Sequence, residues 1–467
     1  MNRQKQKVVY IIADMGTAVA SWVIFFVYHS YVSNMQTPVA TIKSLHCSFW
    51  GVLLVYPFYC VLIHYLSGYY LRPFQKQPLL EFVTTFMSSL VIALTIFFLL
   101  LFRDVVISNH YYLFFSVLFL AQLGLTYFVR IFITHTVKNK IRKGKLSFNT
   151  LIIGTGINAQ AVFSQLQLNQ HKNGNKVLGF VDPGQALKEN NDPKSICSLS
   201  DIASVIEEHH ITELFIVADN SNEDELFDIV NQLLIFPVSI KVLPRVYEFL
   251  TARIRINSST ISPYIEITAL SMPDWQLCTK RFLDIVISFF VLVFFSPVFL
   301  YLLIRVKRET PGVAIYRQER IGLHGKPFQI LKFRTMYSNA ENGVPQLTSK
   351  QDQRITPFGA FMRRYRLDEL PQFYNVLKGD MSIVGPRPER QYFINQIMRE
   401  APYYCLLYNV RPGLTSWGPI KVGYTDMFEK MVERLQYDIL YLENMSLLSD
   451  MQILLFTLST IIKGKGW

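Results

Sequence analysis

The stretch IVISFFVLVFFSPVFLYLLI, residues 285–304, decides the architecture of this chain. It carries no charged side chain, and as one straight helix it would reach about 30 Å, the thickness of a bilayer's hydrocarbon core. Ser296-Pro297 interrupts it near its middle. Lys280 and Arg281 precede it, and Arg305, Lys307 and Arg308 follow it. Proline has no N–H and its ring collides with the carbonyl four residues earlier, here Val293, so the helix must kink or break. A kinked helix that still spans is one solution, since membrane helices tolerate proline. Spanning would carry one basic cluster to the outer face, against the bias that keeps Lys and Arg cytoplasmic. A helix that breaks at Ser296-Pro297, dips in and returns keeps both clusters beside anionic headgroups. The expected form is therefore a re-entrant helix, its freed backbone at the bend partnered by the Ser296 hydroxyl.

The sequence beyond it is basic and punctuated by glycine and proline. Residues 305–411 hold 18 Lys and Arg against 9 Asp and Glu, much of the chain's net charge of +12. Such an excess points to anionic partners: phosphate-bearing substrates, acidic lipid headgroups or nucleic acid. Asp368-Glu369 stands directly before Leu370-Pro371, and proline favours the first turn of a helix. LPQFYNVLKG (370–379) thus reads as a helix with both acids at its N-terminal end. Such a pair can be a cap with favourable dipole contacts. It can also be a metal–phosphate site, because Lys332, Arg334, Arg363, Arg364, Arg366 and Arg387 surround it in sequence. Phosphoryl transfer needs cations, usually with Mg²⁺, to neutralise a diphosphate, and Mg²⁺ takes one or two carboxylates plus phosphate oxygens and waters. The neighbouring positive charge favours the ionised form of Asp368. Near the end, MQILLFTLSTII (451–462) is too short to span and reads as a core helix or an interfacial one.

Upstream, four apolar segments (8–28, 45–66, 82–102 and 111–134) are each long enough to span. Arg3, Lys5 and Lys7 precede the first, Lys43 is alone in the first loop, Arg72 and Lys76 lie in the second, and Arg103 is in the third. The dense KNKIRKGK (138–145) follows the fourth. Both ends of a four-helix transmembrane bundle, 1–145, are therefore expected on the cytoplasmic side. No small-residue cleavage site is in view, so the first segment reads as an uncleaved membrane helix. Residues 146–265 turn to alternating strands and helices, the pattern of a doubly wound, Rossmann-like α/β domain. Its first turn carries Gly154, Gly156 and Ala159, and Asp182 ends a later strand. That arrangement can cradle a dinucleotide, or the glycines can simply make the turn. Five scattered cysteines without a CxxC pair argue against a disulfide framework or zinc site and suit a reducing compartment. A third domain, 275–467, comprises the broken helix and a mainly helical cytosolic part.

Taken together, KRFLDIVIS…SPVFL, YRQERIG, ILKFRTM, RITPFGAFMRR, LDELPQFYNVLKGDMSIVGPRPE and VRPGLT resemble the bacterial sugar transferase family. These are the monotopic polyprenyl-phosphate phosphoglycosyl transferases, and the three-part organisation resembles the large members. The resemblance implies a two-step reaction at the cytoplasmic face of the bacterial inner membrane. A carboxylate displaces UMP from a UDP-sugar, and undecaprenyl (polyprenyl) phosphate then takes the sugar phosphate from the enzyme. Carried over, Asp368 is the nucleophile, Glu369 completes the dyad, and Mg²⁺ is held at Asp368 and Glu369. Pro386-Arg387-Pro388 recognises the uridine nucleotide, and Ser296-Pro297 is the re-entrant break. Lys332, Arg334, Arg363, Arg364 and Arg366 contact phosphate. The resemblance implies UDP-sugar, polyprenyl phosphate and membrane lipid as partners and no nucleic acid. It leaves homo-oligomerisation and the hexose open, because SWGPIKVGYTD after RPGLT departs from many relatives. Two rival readings are a membrane-bound nucleotide-sugar dehydratase or epimerase, and a non-enzymatic nucleotide-sensing scaffold. The first lacks a second dinucleotide fingerprint and a Tyr-x-x-x-Lys pair in the C-terminal part, and the second leaves Asp368-Glu369 and its arginines unexplained.

Overall fold

The computed structural model describes residues 3–34, 39–74, 76–102, 111–154, 156–182, 195–217, 223–243, 265–267, 271–337, 352–423 and 427–464. Four helices come first: α1 (Arg3–Asn34), α2 (Val39–Leu66), α3 (Pro78–Phe102) and α4 (Tyr111–Arg142). α1 packs against α2 and α4, and α3 against α4 and α2. Three of the four, α1, α3 and α4, are long and apolar enough to cross a membrane, whereas the described apolar part of α2, Gly51–Leu66, is shorter. Lys43 falls within α2 rather than in a loop before it, and Arg103 lies outside the described residues. Leu54, Phe58, Phe98, Leu120 and Phe128 are exposed on the outer faces, as a lipid-facing surface requires.

The interior of this helical group is polar at one end. The Arg130 guanidinium donates from Nε to Asp14 Oδ1 at 3.0 Å and from NH2 to Asp14 Oδ2 at 2.6 Å, and its NH1 reaches Thr85 Oγ1 at 2.8 Å. Tyr70 donates to Asp14 as well, and the Tyr69 ring lies 3.6 Å beneath the guanidinium. Both charges are fully buried. Tyr69 and Tyr70 belong to the turn after α2. This ion pair therefore fastens the α2–α3 connection onto α1 and α4, and Arg72 in that connection reaches Asp274 at 3.3 Å.

The middle unit contains β1 (Phe148–Ile153), α5 (Ile157–Leu168), the one-turn α6 (Gln170–Asn173), β2 (Asn175–Asp182), β3 (Ser195–Ser198), α7 (Ile202–Glu208), β4 (Glu213–Ile216), α8 (Glu223–Leu233), β5 (Ser239–Val242) and β6 (Ile265–Glu266). Its sheet runs β3-β2-β1-β4-β5-β6, parallel except for β6. The continuous apolar runs are explained by this burial, since helices cover both faces of a parallel sheet.

The third unit opens with α9 (Asp274–Phe294) and α10 (Ser296–Glu309), bent by 63° around Phe295. Ser296 Oγ donates to the Val293 carbonyl at 2.7 Å, the acceptor that Pro297 has no N–H to reach. Then follow the antiparallel hairpin β7 (Ile315–Ile321) and β8 (Pro327–Phe333), α11 (Pro357–Arg364), a 3₁₀ turn Leu367–Glu369, and α12 (Gln372–Lys378). β9 (Ser382–Val384), α13 (Gln391–Glu400), a 3₁₀ segment Pro402–Asn409 and β10 (Gly413–Thr415) come next. α14 (Trp417–Lys421), α15 (Phe428–Glu443) and α16 (Leu447–Ile462) complete it. α16 buries Ile453 in the core, in keeping with the core-helix alternative, while Leu448, Leu455 and Ile462 are exposed. The middle and third units share one core, in which Leu233 and Leu234 at the end of α8 meet Tyr404, Cys405 and Leu407.

The ion pair in the first unit yields a prediction. Arg130→Met leaves Asp14 buried without its cation and costs about 3–5 kcal/mol, whereas Asp14→Leu with Arg130→Met leaves no orphan and costs far less. Thermal midpoints in detergent check this; equal losses in the two variants would show that the charges are not coupled.

Candidate active site

The site is built on the N-terminal half of α9. Asp284 is buried, and its carboxylate accepts from Ser382 Oγ at 2.7 Å and from the Ile383 N–H at 3.1 Å. One turn earlier, Lys280 donates to the Val384 carbonyl at 2.8 Å and to Asp450 at 2.6 Å. Arg281 donates to the carbonyls of Val376 and Leu377, at the C-terminal end of α12, where a cation also meets the helix dipole favourably. α12 is held on its other side by Asn375, whose Oδ1 accepts from the Leu331 N–H and whose Nδ2 donates to the Gln329 carbonyl. This side chain substitutes for a further strand beside β8 and brings α12 up to Lys332.

Asp368 and Glu369 occupy the 3₁₀ turn rather than α12 itself, which starts at Gln372. Arg366, at φ 52°, makes the left-handed residue that ends the preceding turn and folds its guanidinium back to 3.2 Å from Glu369 Oε2. Lys332 Nζ stands 3.4 Å and Arg387 NH1 3.8 Å from Glu369 Oε1. Glu369 is thus the centre of the cations. Burial alone would raise its carboxyl, but Lys332, Arg366 and Arg387 hold it down at about 2. Burial lowers Lys332, although the Glu369 carboxylate opposes this.

Asp368 differs. It is 8% exposed and makes no ion pair among the described residues. Burial, with the Glu369 anion next to it, pushes its carboxyl above the usual range. Lys332, Arg363 and Arg366 do favour its ionised form, as expected from the sequence, but burial and the Glu369 anion outweigh them. The donor set for a dication is divided likewise, with Asp368 unpaired and both Glu369 oxygens engaged.

The remaining candidates separate into two groups. Arg363 Nε donates to Thr335 Oγ1 at 2.9 Å and remains near enough to act on Asp368 electrostatically. Arg334 instead caps the end of α10, donating to the carbonyls of Thr310 at 2.6 Å and Pro311 at 3.0 Å. Arg364 is exposed, bonds the Gly464 carbonyl at 3.3 Å and lies over Tyr365. Neither is brought to Asp368-Glu369. Pro386, Arg387 and Pro388 form the loop between β9 and α13, and Gly385 beneath it lies against Gly413 of β10. A Cβ on Gly413 would fall 2.2 Å from Gly385 N, so VGPRPE and RPGLT meet where neither glycine has room for a side chain.

Four residues of this loop's surroundings were not singled out from sequence. Arg320 donates to the Pro388 carbonyl at 3.1 Å and pairs with Glu389 at 3.0 Å; Arg434 pairs with Glu389 at 2.5 Å. Asp438 accepts from the Arg387 N–H at 3.3 Å, and burial pushes its carboxyl up to about 6. The available signal was two opposite charges at i and i+4 on a helix face otherwise formed by Met431 and Leu435.

Gly154, Gly156 and Asp182 belong to the six-stranded sheet and take no part in this cluster. Gly154 has φ +124°, and a Cβ there would meet the Val217 carbonyl oxygen at 2.3 Å. Gly156 sits at the N-terminus of α5, and Asp182 ends β2. Close packing of β1 against the end of β4 accounts for Gly154.

A family model described as a bacterial sugar transferase matches residues 275–464, and one described as a CoA-binding domain matches residues 65–244. The UDP-N-acetylgalactosamine-undecaprenyl-phosphate N-acetylgalactosaminephosphotransferase of Aeromonas hydrophila is 36% identical over 224 residues, 48% of this chain and 52% of that protein. The UDP-glucose:undecaprenyl-phosphate glucose-1-phosphate transferase of Escherichia coli is 33% identical over 299 residues, 63% of each. The match therefore spans between about half and just under two thirds of the length of these two relatives. An uncharacterized sugar transferase of Haemophilus influenzae is 32% identical over 367 residues, 70% of this chain and 71% of that protein. With a cation-ringed Asp-Glu pair beside a bent apolar helix, and with these matches, the chain belongs to the bacterial sugar transferase family.

Proposed function

We propose that this chain transfers a sugar 1-phosphate from a UDP-sugar to undecaprenyl phosphate, with release of UMP, as the first membrane step of a bacterial polysaccharide. The observation that carries the reading is the division of labour in the pair: among the described residues, Glu369 gathers Lys332, Arg366 and Arg387, while Asp368 is left without an ion pair. A carboxylate that no protein cation contacts keeps an oxygen free to act as a nucleophile, even where its other oxygen would hold a metal. One Asp368 oxygen attacks the phosphorus that carries the sugar, the Asp–O–P bond forms, and the bond to the UMP oxygen breaks. Lys332 and Arg387 stand where the charge of the departing nucleotide develops, and such preplaced charges stabilise it without reorganisation. An oxygen of undecaprenyl phosphate then attacks the same phosphorus and returns the Asp368 carboxylate. The donor chemistry fits Mg²⁺ with Asp368 as protein ligand, since Mg²⁺ needs only one or two carboxylates beside phosphate oxygens. When bound it neutralises the diphosphate; Glu369, already ringed by cations, serves mainly to orient them.

The membrane arrangement follows the same reading. α1 to α4 form a four-span bundle in the inner membrane. α9 and α10 enter from the cytoplasmic side and return to it, so the catalytic part lies on the cytoplasmic face. The 63° bend and the basic residues at both ends support this, since α10 has only 14 residues and the uncharged part of α9, residues 285–294, is too short to span alone. A site at the membrane surface meets one water-soluble and one lipid substrate without moving either across.

Three tests follow. Incubated with UDP-sugar and Mg²⁺ but no lipid acceptor, the protein is expected to release about one UMP per site and retain a sugar phosphate on the peptide RLDELPQFYNVLK. Asp368→Asn abolishes both; a strict requirement for all substrates together would instead mean direct transfer. Arg387→Ala is expected to raise the KM for UDP-sugar about tenfold to a hundredfold, whereas Arg364→Ala, at an exposed residue bonded to the Gly464 carbonyl, stays within about threefold. A reversed order would remove Arg387 from the nucleotide site. Single cysteines at the exposed positions 275 and 308, in a background lacking the native ones, should label only from the cytoplasm, and periplasmic labelling at 308 would establish a span.

A further inference from the structure

The loop Pro386–Glu389 is tethered by its backbone at four consecutive residues, to three elements: β10, α15 and β7. Gly413 N–H donates to the Pro386 carbonyl at 2.8 Å, and Ile321 N–H to the Glu389 carbonyl at 3.1 Å. Arg320 donates to the Pro388 carbonyl, and the Arg387 N–H donates to Asp438. Pro386 and Pro388 have no N–H, so within this triplet Arg387 alone carries a backbone donor, and Asp438 takes it. Two of the four tethers are side chains. Arg434, one turn before Asp438 on α15, adds a fifth contact by pairing with Glu389, which Arg320 holds from the opposite side.

These charges are expensive as mere fold glue. Arg434, Asp438 and Glu389 are all buried, and a buried ion pair rarely stabilises more than apolar side chains of similar volume. What the arrangement does supply is a fixed backbone beneath Arg387, whose guanidinium is then presented at 3.8 Å from Glu369 with its side chain 28% exposed. Room has been made for the Arg434 side chain as well: a Cβ at Gly418 of α14 would lie 2.8 Å from Arg434 Cγ.

Building on the proposed transfer reaction, we propose that Asp438 and Arg434, on one face of α15, are positioning residues for the nucleotide. They act through the Arg387 backbone and Glu389 and touch no substrate themselves. They hold the Pro386–Pro388 loop in the shape that receives the UDP part of the donor, and polyprenyl phosphate does not depend on them.

The test uses the full-length protein in detergent with UDP-sugar, undecaprenyl phosphate and Mg²⁺. Asp438→Ala is expected to raise the KM for UDP-sugar about tenfold while kcat and the KM for undecaprenyl phosphate stay within about threefold. Asp438→Asn keeps an oxygen that accepts from the Arg387 N–H and should recover most of the loss, which a purely structural role for the charge would not produce. Arg434→Met, which keeps the length and apolar stem of the side chain, should also raise the KM for UDP-sugar selectively. UMP binding by calorimetry provides a readout independent of turnover and should weaken in parallel. Variants that keep the wild-type thermal midpoint and an unchanged KM for UDP-sugar overturn the inference, as does an equal loss for both substrates. Wild-type protein that binds UMP but transfers nothing overturns the proposed reaction instead, while weaker UMP binding by Asp438→Ala would still support its role at the loop.

Discussion

The Asp284 carboxylate, buried one helical turn beyond Lys280, accepts hydrogen bonds from Ser382 and Ile383, and Lys280 reaches the carbonyl of Val384 next to them. Arg281 closes on the end of α12. Two turns of α9 therefore hold both the helix that follows Asp368-Glu369 and the strand that leads into the Arg387 loop. The apolar remainder of the same helix, beyond the clamp, runs on to the bend at Phe295. Orientation of the apolar segment and placement of the acidic pair are thus one mechanical problem. A charged triad in such surroundings is retained only if its lone pairs and protons are satisfied, and here each has a backbone or hydroxyl partner.

A second constraint is electrostatic. Placing two carboxylates side by side in a buried turn would ordinarily raise both. The structure resolves this unequally: among the described residues Glu369 is ion-paired with three cations, whereas none lies within ion-pair distance of Asp368. The result is one strongly anionic group that organises positive charge and one that is available for other chemistry. Separation of roles by environment, rather than by residue type, is how a pair of like groups can serve two ends. Arg366 achieves its part through a left-handed backbone, a conformation with a steric cost for any residue with a Cβ. That cost places its guanidinium on Glu369 rather than along α11.

The other units press on the same region from outside it. The Asp14–Arg130 pair secures the α2–α3 connection, which meets the start of α9 through Arg72 and Asp274. Gly68 in that connection lies so close to Asp274 and Trp275 that a Cβ would fall 2.7 Å from their backbone. From the other side, α8 of the middle unit packs on the segment Pro402–Asn409, whose Tyr404 and Leu407 line a small crevice together with Arg387 and Glu389. Neither neighbour supplies a group to the acidic pair; both bear on what holds it.

Local rules made much of this legible in the sequence. Pro297 dictated a break because a missing N–H and a ring clash act within one turn, and the Ser296 hydroxyl had only Val293 to serve. Alternating apolar strands and helices specified the parallel sheet, since a strand covered on both faces must be apolar throughout. The grouping of basic residues near Asp368-Glu369 marked the site. Sequence could not apportion those residues. Arg334 and Arg364 are as near in the chain as Lys332 and Arg366, yet one caps α10 and the other meets Gly464, because direction depends on which element lies opposite. The different surroundings of Asp368 and Glu369, adjacent in sequence, arise from cations on β8, just before the 3₁₀ turn and in the β9–α13 loop. Arg434 and Asp438 lie over sixty positions beyond the acidic pair. A long-range hydrogen bond leaves no periodic trace in the chain, so their grip on Arg387 exists only once α15 has folded against the loop.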